Sequence, residues 1–453
     1  VAIAMSIITI PTAIAATAIL IIGEDIVPLS PFENITFLAM KYSVFKTICP
    51  FYGAKVTIFL ICTLISCKNN GQPRTDTTQQ TKDKHPKEIV EGANRMYLYT
   101  NDLENKNVGI VTNQTGIVRT KKNTYVHLVD TLLKKKIKVI KVFAPEHGFR
   151  GQADAGEVIK DGKDTQTGLP IISLYGKNKK PSPQQLKDID VMLFDLQDVG
   201  ARFYTYISTL HYVMEACAEQ HIPLIVLDRP NPNAHYIDGP VLQPAFKSFI
   251  GMHPVPIVYG MTIGEYAQMI NGEKWLEKGV TANLKVVKLA YYNHQMPYKL
   301  PVKPSPNLPN EVAVNLYPSL CFFEGTNVSM GRGTNQQFQI YGSPYFAKTT
   351  FHFTPKPNEG DKSPKFNGKQ CYGEDLSHTP YLSQINLTWL KKAFEQGKNV
   401  KTPFFTSSFN KIAGNDLLKK QITEGKTEAE IRLSWQQELN KFKKTRKKYL
   451  LYP

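Results

Sequence analysis

The chain has 453 residues, 42% hydrophobic and 21% charged, so it has an ordinary globular composition. It is long enough for two or three domains with a core that needs no disulfide staples. A net charge of +17 favours anionic partners. No Lys/Arg run is interleaved with aromatic residues, so nucleic acid is not the expected partner.

Residues 1–66 read as an apolar N-terminal region rather than as fold. Residues 1–22 are long and apolar enough to span a bilayer. A second apolar stretch, 56–66, follows Met40-Lys41, Lys46 and Lys55. It ends Leu64-Ile65-Ser66-Cys67 and gives way to Lys68-Asn69-Asn70-Gly71. That run resembles a bacterial lipoprotein signal, in which the cysteine carries the lipid. Cys67 is therefore the expected lipidation site and membrane anchor. Residues 67–87 are polar and read as a disordered tether.

From 88 to 240 strand and helix signals alternate. Apolar runs at 108–111, 139–143, 171–174, 191–194 and 223–227 predict strands. Val126, Val129, Leu132 and Leu133 fall on one helical face, 184–190 predicts a short helix, and Ile207, Leu210, Val213 and Cys217 another. Such alternation predicts an α/β fold with a parallel sheet. Each strand runs into polar residues: Asn113-Gln114-Thr115, Glu146-His147, Tyr175, then Asp195, Gln197, Asp198 and Arg202, then Asp228-Arg229-Pro230-Asn231. Ligands of parallel sheets bind at these carboxyl ends, so one cleft fed by five segments is expected. Beyond 240 Pro and Gly become frequent, and residues 241–453 are expected to form a smaller α+β domain completing the cleft. The basic stretch 428–449 predicts a helix.

Common sites are missing. There is no Gly-x-Gly-x-x-Gly after a strand, no phosphate loop, no His-Glu-x-x-His and no Gly-x-Ser-x-Gly. The six cysteines form no CxxC pair and no zinc spacing, and Cys217 and Cys321 read as buried thiols. Neither metal nor cofactor is expected. What remains is carboxylates: glycoside hydrolysis uses a protonated acid at the leaving oxygen and often a second carboxylate. Glu146, at a strand end between Pro145 and His147-Gly148, suits the acid. Asp195, Asp198 or Glu324 would supply the second charge. Tyr204 and Tyr206 are candidates to stack on a sugar face.

The chain resembles the exo-β-N-acetylmuramidases of the NamZ type. The resemblance rests on Val108-Gly109-Ile110-Val111-Thr112-Asn113-Gln114-Thr115-Gly116, Phe143-Ala144-Pro145-Glu146-His147-Gly148-Phe149-Arg150-Gly151, Phe194-Asp195-Leu196-Gln197-Asp198-Val199-Gly200-Ala201-Arg202-Phe203-Tyr204-Thr205-Tyr206, Leu227-Asp228-Arg229-Pro230-Asn231-Pro232, Glu324-Gly325-Thr326-Asn327 and Gly331-Arg332-Gly333-Thr334. It spans about 90 to 450. It implies a Rossmann-like N-terminal domain and release of terminal N-acetylmuramic acid from peptidoglycan fragments, with the catalytic glutamate falling on Glu146. Met330 departs from the pattern, which has an acid there. Across the strand ends and matching stretches, the groups expected to contact a muramyl saccharide are Asn113, His147, Arg150, Gln197, Arg202, Tyr204, Arg229, Asn231, Glu324, Asn327 and Arg332. The competing expectation is a sugar-binding lipoprotein without catalysis.

Overall fold

The computed structural model describes residues 19–22, 25–28, 88–121, 124–150 and 161–453. The first two stretches, Ile19–Ile22 and Asp25–Pro28, pair antiparallel. Among the described residues no helix is long and apolar enough to cross a membrane. The bilayer-spanning reading of residues 1–22 falls mostly outside the described residues, as do Cys67 and the tether.

From Lys84 onward the chain is one compact unit. Its frame is a seven-stranded sheet of β1 (Val108–Thr112), β2 (Val139–Ala144), β3 (Gly162–Lys163), β4 (Pro170–Ser173), β5 (Val191–Asp195), β6 (Leu224–Leu227) and β7 (Leu284–Val287). The order is β7-β6-β5-β1-β2-β4-β3. All neighbours are parallel except the short edge strand β3. In chain order the parallel strands lie 3-2-1-4-5-6, the Rossmann arrangement, with its switch point between β1 and β5. The sheet takes a strand from beyond residue 240: β7, a short run in which only Val287 is buried and which the sequence left unread.

Burial on both faces explains the apolar strands. Alternate residues point to opposite sides. Val108, Ile110, Leu193, Ile225 and Leu227 pack with helix α1 (Leu128–Lys134). Val111, Phe194, Leu224 and Val226 pack with helix α2 (Tyr206–Glu219) in a second cluster. Val126 belongs to a hairpin, Ile117–Lys121 with Thr124–His127, and α1 starts only at Leu128, capped by the His127 ring.

Helix α3 (Ile263–Gly272) precedes β7, and α4 (Glu311–Leu320) opens the C-terminal part. There β8 (Ile340–Ser343), β9 (His352–Phe353) and β10 (Cys371–Asp375) form an antiparallel sheet in the order β8-β10-β9. Helix α5 (Glu428–Lys447) starts at a Thr427/Glu430 capping box and buries Ile431, Trp435, Leu439 and Phe442 at helical spacing. These side chains join the same core as Val111 and Phe194, so the two parts share one interior.

Candidate active site

Pro145 ends β2, and the chain turns with His147 at φ 74° and Gly148 at φ 76°. The Gly148 N–H closes the turn on the Pro145 carbonyl at 3.1 Å. A left-handed histidine is costly, by about 1–3 kcal/mol, and such strain gathers at functional sites. The turn presents the half-buried Glu146 to a cavity of about 260 Å³. Thr205, just before α2, donates to Glu146 Oε2 at 2.8 Å. The Tyr175 hydroxyl, beyond β4, lines the same cavity close enough to feel the Glu146 charge. Burial, and then the Glu146 charge, push the Tyr175 pKa well up, so its hydroxyl stays a donor.

Aromatic rings wall the cavity. Tyr204 donates to the Pro304 carbonyl at 2.8 Å, fixing the proline-rich segment whose Ser305 and Asn307 also line the cavity. Tyr317 on α4 meets Phe338 edge-to-face, with centroids 4.9 Å apart. Glu324 and Arg332 enter from the C-terminal part and pair at 2.7 Å. Burial works most strongly against the Arg332 charge, but Glu324 together with Tyr317, Asp361 and Cys321 outweighs it and raises its pKa.

The structure brings Glu146, His147, Tyr204, Glu324 and Arg332 together at this cavity. The remaining candidates are scaffold. Asn113 donates to the Tyr206 hydroxyl at 2.5 Å and accepts from Thr115. Tyr206 is fully buried, so it is Tyr204 that faces the cavity. Arg229 grips Asp195 with two bonds, 2.6 and 2.9 Å, both residues buried. Gln197 donates to the Asp198 and Pro230 carbonyls. Asp198 accepts from Gly200 and Tyr259, and burial pushes its pKa up to about 6. Arg202 donates to the carbonyls of Pro240, Val255, Ile412 and Ala413. Arg150 pairs with Asp130 and Asp164. Asn231 donates to the Met261 carbonyl, and Asn327 to that of Thr402. Met330 is buried in the core. The expected five-segment cleft is thus narrower: the segments after β2, β4 and β5 reach the cavity, the last through Phe203, Tyr204 and Thr205, whereas the candidate residues after β1 and β6 bond within the protein. Tyr175 and Thr205 were missing from the expected site. Tyr175 was visible as a strand-end residue, and Thr205 lay inside a matching family stretch without being singled out. Among the described residues no group of side chains is arranged to hold a metal ion.

A half-buried glutamate with a hydroxyl donor from Thr205 and the Tyr175 hydroxyl close by, in an aromatic-walled cavity at the small end of ligand-pocket size, is the equipment of a glycosidase. The chain belongs to the exo-β-N-acetylmuramidase NamZ family. The model of that family's N-terminal part matches residues 108–312, and the model of its C-terminal part matches residues 315–452. The peptidoglycan β-N-acetylmuramidase NamZ of Bacillus subtilis is 39% identical over 375 residues, 78% of this chain and 89% of that protein. Crystal structures of two DUF1343 family proteins from Bacteroides fragilis are similar, at 42% identity with TM-score 0.74 and at 26% identity with TM-score 0.69. Each alignment covers 81% of this chain and 99% of the other.

Proposed function

We infer that this protein is an exo-acting glycoside hydrolase that releases terminal N-acetylmuramic acid from the non-reducing end of peptidoglycan fragments. Family membership supports the substrate class. The observation that carries the chemistry is Glu146, presented by a strained turn and held by Thr205 beside the Tyr175 hydroxyl. In this reading Glu146 protonates the departing glycosidic oxygen. The carboxylate left behind keeps the Thr205 donor, with the Tyr175 hydroxyl near, so its new charge meets dipoles already in place. Glu324 is the other carboxylate among the described lining residues, and Arg332 holds it. A substrate-assisted route, in which the sugar's own 2-acetamido oxygen attacks C1, needs only one enzymic acid.

Product analysis on a muramyl-terminated disaccharide tests this. The wild type should release free N-acetylmuramic acid, and Glu146→Gln should be slower by about 10²–10⁴-fold. Tight binding without release by the wild type would mean a capture protein instead. The Ser66-Cys67 junction and the polar stretch after it support export and lipid anchoring at Cys67. Mass analysis of the membrane-fraction protein should find a diacylglyceryl-modified Cys67 as the first residue.

A further inference from the structure

This inference rests on the glycosidase reading and concerns the group that sets muramic acid apart from other amino sugars. Its O3 carries a lactyl ether that ends in a carboxylate. Among the described residues lining the cavity, Arg332 is the only lysine or arginine. A guanidinium has five N–H donors. Within the described residues Arg332 uses one of its nitrogens, Nη2, on Glu324, while Nε is buried without a partner. A quarter of the side chain, 25%, remains accessible. The Arg332 Cζ lies 5.7 Å from the Phe338 ring centroid, within cation–π range.

The surrounding charge also suits an anion. Lys365 Nζ donates to the carbonyls of Phe323, Thr326 and Val328 at 2.9, 2.5 and 3.0 Å, pinning the strip that carries Glu324. Glu324, Arg332 and Lys365 lie close enough to act on one another electrostatically. Lys365 thus adds a second positive charge beside the Arg332–Glu324 pair, with Asp361 also acting on Arg332.

We propose that Arg332 is the receptor for the lactyl carboxylate of the terminal muramic acid. Its planar fork takes a second carboxylate beside Glu324, and the sugar is oriented by that contact while Glu146 addresses the glycosidic oxygen.

The test compares a muramyl-terminated disaccharide with its lactyl methylamide, which has the same shape without the charge. Kinetics are measured for wild type, Arg332→Met and Arg332→Lys, and calorimetry follows binding of the two corresponding free sugars. Wild type should favour the carboxylate in kcat/KM by about 10–100-fold, the size of a charged hydrogen bond. Arg332→Met should erase the preference, mainly through KM, with a far smaller effect on the methylamide. Arg332→Lys keeps the charge, guards against misfolding and should retain part of the preference. Equal losses on both substrates would make Arg332 only a structural partner of Glu324 and overturn the proposal, as would an unchanged preference in Arg332→Met. Failure of wild type to cleave either disaccharide would instead defeat the glycosidase reading. The calorimetric preference for the carboxylate sugar, present or absent, then decides the role of Arg332 alone.

Discussion

Thr205 hydrogen-bonds Glu146, the Tyr175 hydroxyl lies within electrostatic reach of it, and Tyr175 can lose that hydroxyl without losing its ring. Tyr175→Phe should therefore lower kcat by about 10–100-fold and leave KM nearly unchanged, because the missing donor serves the charge formed during reaction. Steady-state kinetics with the disaccharide checks this, and a purely KM effect would contradict it. Asp198 shows the opposite situation. Burial holds its pKa up at about 6, against an ordinary 3.8, yet it faces Tyr259 and Gly200 rather than the cavity. The folded state thus holds this proton more tightly than the unfolded chain. The stabilisation is complete below about pH 4 and is lost as pH rises through 6. Asp198→Asn, neutral throughout, should gain on the wild type between pH 4 and pH 7 by an amount on the order of 3 kcal/mol. Urea unfolding at the two pH values would show it, and a flat difference would refute it. Asp228, pushed up to about 7 by burial, is likewise internal. A perturbed carboxyl is only a candidate until its neighbours are known. The sequence exposed the polar character of Asp195, Arg202 and Asn231. It could not show that their partners are Arg229, the Ile412 carbonyl and the Met261 carbonyl rather than a ligand.

Helix α3 shows how closely the elements are seated. A methyl group on Gly264 would sit 2.6 Å from Val286 Cγ1 and 2.7 Å from Asp228 Cγ. Gly264→Ala must push α3 away from β6 and β7, and should cost about 1–3 kcal/mol. Chemical denaturation measures this, and an unchanged midpoint would mean that the helix shifts freely. The strands with long apolar runs, β1, β2, β5 and β6, were legible because burial on both faces demands such runs. Strand β7 was not, since Leu284–Val287 buries only part of its length. The helix of α1 was placed two residues early because Val126, exposed in the hairpin, happens to keep its phase.

Across the whole molecule, the two family parts are tied by bonds that cross between them. Arg202 reaches the Ile412 and Ala413 carbonyls, Arg432 pairs with Asp238 at 2.8 Å, and the Tyr452 hydroxyl reaches Asp228 at 2.5 Å. With a shared core as well, the compact unit should unfold as one: calorimetry should give a single endotherm with equal calorimetric and van't Hoff enthalpies. Two resolved transitions would separate the parts. The joint construction also fixes when the protein becomes active. Glu146 is set by the first part, and Glu324 and Arg332 arrive only with the second. A chain emerging from the ribosome therefore holds its acid long before it holds a pocket. Cutting power appears in a single late step, once the last third of the chain has docked.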